Sequence, residues 1–437
     1  MLEQKKNHQV TDKPTHIRWR VFGILALASF IAYMLRTNVS IAAPDMMRDI
    51  GLDLIQMNWI NAAFAAGYAL FQFPGGIMGD SYGPRKAITL IAVLWTVFTV
   101  TTAFVPEADG TSIGLVVASL ICVRFLVGAA HAPIFPVMTS WIGRWYPAGS
   151  WALPQGLSST ALTLGSAATA ATLPFLIADL GWRGSFLVIS PLGLLVALVW
   201  WWYARDFPEQ HAAVNEAELA LINADRPPLV EDPPPPPGWI RVLKNRDVLL
   251  LTLSYSSINF IFYLVFFQFY FYLVDVRGFS EETAGFVNST QWIAGAAGGA
   301  IGGWLCERLV RRVGIRRGHR WPIVAGLLIS GLMLIGGAYH PNATVASALL
   351  AFCFFFNQLT EGPYWSTSVA IGGQFAGSAG GVMNTGANVA GIISPILVAW
   401  IATNWGWSLA MASGAGFMII GAILIMLVRP DQPIRLD

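Results

Sequence analysis

Read for hydropathy, the chain is a succession of long apolar stretches separated by short polar connections. Twelve can be marked, near residues 19–43, 57–79, 86–105, 113–141, 152–178, 183–204, 247–275, 284–306, 321–340, 343–371, 375–402 and 407–428. Each is about as long as the ~20 residues that a helix needs to cross a bilayer core. Inside lipid, backbone polar groups are satisfied only by helices or closed barrels. The pattern predicts an all-α integral membrane protein of twelve transmembrane helices. The first stretch follows a polar, basic segment (1–20) and shows no small-residue cleavage site, so it reads as a retained helix.

Lys and Arg in the loops give the orientation, because cytoplasmic loops hold the excess. Lys5, Lys6, Lys13, Arg18 and Arg20 precede the first stretch, and Arg85 and Lys86 follow the second. Arg144 follows the fourth, and Arg205, Arg226, Arg241, Lys244 and Arg246 lie in the central connection. Arg308, Arg311, Arg312, Arg316, Arg317 and Arg320 separate the eighth from the ninth, and Arg429 and Arg435 stand in the tail. The opposite loops offer only Arg48, Arg183 and Arg277. Both termini are therefore expected in the cytoplasm, with the chain in a cell membrane of the bacterial inner-membrane kind. Composition agrees: 55% of the 437 residues are hydrophobic and 11% charged, against about a quarter charged in soluble domains. Cys122, Cys306 and Cys353 sit in apolar runs and read as buried thiols, with no metal or redox spacing.

The polar segment 205–246 divides the chain. Residues 209–222 suit a short amphipathic helix and 233–237 form a proline spacer. Landmarks recur on its two sides. Gly75-Gly76 with Asp80 returns as Gly302-Gly303 with Glu307, His131-Ala132-Pro133 as Glu361-Gly362-Pro363, and Pro174 as Pro395. The offsets are all roughly 220–230 residues, the mark of an internal duplication. The expected organisation is a tail (1–20), a six-helix bundle (21–204), the central loop (205–246), a second six-helix bundle (247–428) and a tail (429–437).

These landmarks resemble the major facilitator superfamily. Gly75-Gly76-x-x-x-Asp80-x-x-Gly83-x-Arg85-Lys86 is similar to its signature between helices 2 and 3, lacking a basic residue at Ser81, and Arg124-x-x-x-Gly128 to its helix 4 signature. A finer resemblance is to the anion:cation symporter branch of sugar-acid permeases and sialin-like carriers. It rests on Tyr33-Met34-Leu35-Arg36-Thr37-Asn38, Gln72-Phe73-Pro74, Ala132-Pro133-Ile134-Phe135-Pro136, Trp182-Arg183, Asp206-Phe207-Pro208, Glu216-Ala217-Glu218 and Gly380 to Gly386. The resemblance implies two pseudo-symmetric bundles in the major facilitator fold, a site between them and alternating access. It also implies a breakable latch built from Asp80 and Arg85, with Glu307 as its repeat. The chain departs at Leu35 and His131, where many bacterial proton symporters of the branch carry acids.

Ionisable residues inside spans are costly and face a cavity or a partner. Arg36 suits a substrate carboxylate, since its planar fork donates two parallel hydrogen bonds, with Tyr33 on the same face; a structural ion pair is the alternative. Asn384 and Asn388 read as cavity groups for hydroxyls or a carboxylate, and Tyr255 and Asn259 as weaker candidates, alongside Asn288 and Gln291. Glu361, His131 and Arg124 are candidates for proton coupling. No nucleophile–base set or metal-ligand cluster suggests an enzyme, and neither cofactor nor nucleic acid is expected. The expected function is secondary active transport of small organic anions, such as sugar acids, by a proton-coupled monomer in contact with lipid. An exchanger or uniporter is the runner-up, and a non-transporting sensor a further alternative.

Overall fold

The structure, a computed structural model, describes residues 13–106, 112–224 and 238–434. Lys5, Lys6, Arg226, Arg435 and the proline run at 233–237 lie outside the described residues. The first half holds α1 (Ile17–Ile50), α2 (Leu54–Tyr82), α3 (Pro84–Ala103), α4 (Ile113–His131), α5 (Ile134–Trp145), α6 (Ala152–Ile189) and α7 (Pro191–Tyr203). Then come α8 (Glu216–Asn223) and α9 (Gly238–Lys244). The second half holds α10 (Arg246–Phe271), α11 (Glu281–Tyr339), α12 (Ala343–Leu359), α13 (Glu361–Gly372), α14 (Ala376–Trp405) and α15 (Trp407–Leu427).

Helix α6 joins the fifth span to the start of the sixth across Gly181 (φ 67°), the sixth continuing beyond Ser190 as α7, and α11 is two spans joined across Gly314 (φ 82°). Glycine occupies that region without steric cost. Conversely, α4 and α5 are one span broken before Pro133, and α12 and α13 are one span broken at Thr360. Proline lacks the N–H and clashes with the preceding turn, so the span cannot run straight through. Among the described residues this gives twelve spans in two six-helix bundles, a multi-pass membrane protein.

Helix ends differ from the apolar stretches. Helix α1 runs on to Ile50, past the apolar limit near Ala43, and ends in an exposed Asp45–Arg48 pair. Helix also fills much of the polar stretch 307–320. Hydropathy marks what lipid covers, whereas arginine continues a helix well in water. The amphipathic segment expected over 209–222 is α-helical only from Glu216, where Asn215 caps it, after a 3-10 turn at Pro208–Gln210. Cys122 is exposed, contrary to expectation, while Cys306 and Cys353 are buried.

The halves meet where glycines let backbones touch. A Cβ on Gly76 of α2 would lie 2.2 Å from the Gly377 carbonyl oxygen of α14. A Cβ on Gly156 of α6 would lie 2.2 Å from that of Gly299 of α11. Each contact is closed at the basic end by a carboxylate. Asp80 accepts from the backbone N–H groups of Gly377 (3.0 Å) and Ser378 (2.7 Å) and from the Ser378 hydroxyl (2.7 Å). Glu307 accepts from the N–H of Leu153 at 3.0 Å. Both acids thus sit at the N-termini of helices of the other half, where unpaired amides and the helix dipole favour negative charge. Arg85 does not reach across. Its guanidinium donates to the Trp201 carbonyl of its own half and stacks on that indole, 4.4 Å from the ring centroid.

Helix α8 makes a third carboxylate cap. His16 begins α1 with no side-chain cap of its own. Glu218, fully buried, accepts instead from the Ile17 and Arg18 amides (2.9 and 3.1 Å), the Thr15 hydroxyl and the Arg18 guanidinium (3.0 Å). Burial by itself raises the carboxyl's pKa, but these donors outweigh it and hold it below the usual carboxylate range. A depressed folded pKa contributes stability that is present above the unfolded value near ~4.3 and fades as pH falls through the folded one. Glu218→Ala should therefore lose roughly 2 kcal/mol at pH 7, and the gap from the parent should shrink in acid. Thermal unfolding of the detergent-solubilised protein across pH checks this; a gap that stays constant into strong acid would assign the effect to packing.

Candidate functional site

Where the halves meet, residues of both line one cavity. Helix α1 contributes Tyr33 and Arg36, α2 Tyr68, α5 Phe135, and α6 Gln155 and Ser159. From the other half come Tyr255, Asn259 and Tyr263 of α10, Gln358, Glu361 and Trp365 of the broken span, and Asn384 and Asn388 of α14. All six residues expected to contact substrate are here, together with Glu361. Arg36 and Glu361 are the only charged side chains in the lining among the described residues, one from each half.

Arg36 is held by aromatics. Its Nη1 donates to the Tyr33 hydroxyl at 2.9 Å, and its guanidinium carbon lies 4.9 Å from the Tyr33 ring centroid and 4.4 Å from that of Tyr68. The Tyr68 and Tyr263 hydroxyls also face it. The electron-rich ring faces stabilise the cation without neutralising it. No ion pair among the described residues includes Arg36, so the structural-pair alternative finds no partner.

Glu361 opens α13 directly after the break at Thr360, which turns its carboxylate out of the helix ladder. Its Oε1 accepts from the Tyr255 hydroxyl at 2.7 Å and the Trp365 indole at 3.0 Å. Both partners are neutral, and no ion pair among the described residues includes this carboxyl. Beside it, Asn388 accepts from the Tyr263 hydroxyl at 2.8 Å and donates to the Asn384 carbonyl at 2.7 Å. Asn259 donates weakly to the Tyr255 carbonyl, 3.4 Å away. The wall is thus a cation, a carboxyl and amides in an aromatic frame, suited to a small hydroxylated anion.

His131 and Arg124 are placed elsewhere. His131 is buried and stacked on Trp95, ring centroids 5.1 Å apart. Its Nδ1 faces the Val127 carbonyl at 2.9 Å and its Nε2 the Ala32 carbonyl at 3.2 Å. It therefore straps α4 to α1 one turn before Arg36 and does not line the cavity. Arg124 is also buried, with its guanidinium carbon 4.8 Å from the Phe64 ring centroid. Of the weaker candidates, Gln291 is buried with its amide unpartnered among the described residues, and neither it nor Asn288 lines the cavity. Tyr68, Gln155, Ser159 and Gln358 are cavity residues that the sequence reading passed over. Gln155 and Ser159 lie one helical turn apart in an apolar span, a polar i, i+4 pair that marks a wet face.

A family model described as the Major Facilitator Superfamily matches residues 25–317 and 312–436. The chain is 30% identical over 415 residues to a probable sulfoacetate transporter of Cupriavidus necator, covering 94% of both chains. It is 30% identical over 417 residues to a hexuronate transporter of Bacillus subtilis, again 94% of each. With a probable galactarate/D-glucarate transporter of Escherichia coli it shares 29% identity over 90% of this chain and 89% of the other. Among solved structures it superposes on a proton:xylose symporter with a TM-score of 0.73, at 15% identity and covering 93% of this chain and 95% of that one. A Major Facilitator Superfamily transporter in the outward conformation gives 0.72, at 15% identity over 93% and 98%. These relatives are transporters and not enzymes, and on the family match across both halves the chain belongs to the Major Facilitator Superfamily.

Proposed function

We propose that this chain is a secondary transporter of small organic anions, carboxylates of the sugar-acid kind, working by alternating access and coupled to protons. One observation carries the reading: the cavity between the halves presents an arginine with no acid paired to it, opposite a carboxyl with no cation paired to it. An unpaired guanidinium within a membrane bundle is a site for an anion from outside. The relatives named for sulfoacetate, hexuronate and galactarate/D-glucarate support the class, since each of those compounds is an anion. Glu361 is the group in the cavity that can take up and release the coupling proton. Tyr33, Asn384, Asn388, Tyr255 and Asn259 would hold the substrate's remaining polar groups.

Uptake of labelled sugar acids into proteoliposomes tests both assignments. Arg36→Lys should weaken substrate binding at least about tenfold, because a point charge does not replace a bidentate fork. Glu361→Gln should lose accumulation driven by an imposed pH gradient yet keep counterflow exchange. Unaltered affinity in the first variant would remove Arg36 from the site. Gradient-driven accumulation persisting in the second would place the proton elsewhere, and its absence from the parent would make the chain an exchanger or uniporter.

The carboxylate caps at the basic end support a gating role for Asp80 and Glu307. Asp80→Asn removes charge from a site with three donors and should slow turnover with little change in affinity. Glu307→Gln, which removes charge from a site with one backbone donor, should be milder. Rates unchanged in both would leave these acids a purely structural part.

The loop cations support a cytoplasmic basic end, so that the latched state gives access from outside. Reporter fusions after Arg246 and at the C-terminus should then report the cytoplasm, and one in the turn at His340 the outside. An external C-terminus would overturn this orientation.

A further inference from the structure

Behind the cavity wall lies a second cation that the proposed substrate site does not use. Arg124 is 3% exposed, and no described residue accepts a hydrogen bond from its guanidinium; its Nε is fully buried and unpartnered. It joins no ion pair among the described residues. Neither Leu35, apolar and buried beside Arg36, nor the buried His131 carries a negative charge that could neutralise it. A guanidinium cannot shed its charge by losing a proton, and an unpaired charge in a dry interior is strongly disfavoured.

Arg124 is also close to the cavity. The guanidinium carbons of Arg36 and Arg124 both lie over the ring of Phe64, 5.3 and 4.8 Å from its centroid. One aromatic side chain therefore bridges two cations, one of them, Arg36, in the cavity wall. The first half thus offers two positive charges against the single carboxyl that the second half brings to the lining. A monoanion on Arg36 leaves Arg124 bare. A dianion compensates both.

We propose that Arg36, Phe64 and Arg124 form a two-anion site, and that the substrate is a dianion: one carboxylate on Arg36 at the wall, a second acidic group on Arg124 once the Phe64 ring turns aside. This rests on the organic-anion reading above and narrows it to diacids. The guanidinium of Arg124 supplies charge-assisted, fork-like donors to the second group, and its ring contact with Phe64 holds it in place until then.

Matched acids that differ at one end test the proposal: D-gluconate against D-glucarate, and D-galactonate against galactarate. Binding is read by thermal shift and calorimetry on the purified full chain, with sodium chloride alone as a further arm. In the parent each diacid should bind at least about tenfold tighter than its monoacid, the worth of one charge-assisted contact. Arg124→Gln should cut diacid affinity at least tenfold more than monoacid affinity. Arg124→Lys, which keeps the charge and helps if the glutamine variant folds poorly, should give an intermediate ratio. Equal binding of mono- and diacids in the parent overturns the proposal and leaves the organic-anion reading standing. So does an equal loss of both in Arg124→Gln. Stabilisation by chloride alone that vanishes in Arg124→Gln, with no preference for diacids, would make the site one for an inorganic anion and also overturn it. If no acid of either pair binds, the organic-anion reading falls and this one with it.

Discussion

A guanidinium inside a membrane-spanning bundle must be answered by something, and the centre of this protein is arranged around that requirement. Arg36 cannot become neutral, and lipid offers it nothing. The bundle supplies tyrosine and phenylalanine faces that steady the cation without cancelling it. It withholds the carboxylate that would close the account. Glu361, the acid nearest in function, is instead engaged by the Tyr255 hydroxyl and the Trp365 indole, both neutral. The wall is therefore polarised across the gap between halves, with the cation on one side and the carboxyl on the other.

A different use of the same electrostatics closes the basic end. Asp80 and Glu307 each occupy the N-terminus of a helix from the opposite half, α14 and α6. The bonds are made to backbone amides, so they depend on where a helix begins more than on which side chain it carries. Glycine contacts such as Gly76 on Gly377 bring the helices close enough for the acids to reach. The Glu218 cap obeys the same rule within one half, tying the connection between halves to the start of α1.

Spans, duplication and most of the cavity were legible in the sequence for one reason: lipid punishes polarity, so what remains polar stands out. Arg36, Glu361, Asn384 and Asn388 were conspicuous on that ground, and the structure lines one cavity with all four. His131 misled because it repeats the position of Glu361, and the duplication argued for an equivalent outlook. Its ring nitrogens find carbonyls one turn back and on α1, which the sequence does not show. Tyr68 and Gln155 were missed because an aromatic or a neutral amide in a span is equally at home in packing. Glu218 was one acid among several in a polar loop, and only the fold reveals that α1 lacks a cap of its own. Arg85 sat in a recognisable motif, but motif membership does not say which carbonyl a long side chain will find.

The two halves repeat in architecture and diverge in charge. At corresponding breaks the first half has His131 and the second Glu361, one turned into the bundle and the other towards the cavity. Phe135 and Trp365, one turn further along each broken span, face each other between the halves with ring centroids 6.1 Å apart. The cations thus reside with one half and the exchangeable carboxyl with the other. An anion bound to Arg36 as proposed would bring negative charge towards Glu361, and two like charges at close range disfavour each other. In the proposed function, protonating Glu361 would relieve that repulsion, so that anion and proton favour one another's binding although neither needs to touch the other. By linkage such an effect would be reciprocal: in the proposed function the duplicated scaffold supplies the rocking halves, and the asymmetry of charge within it supplies the coupling.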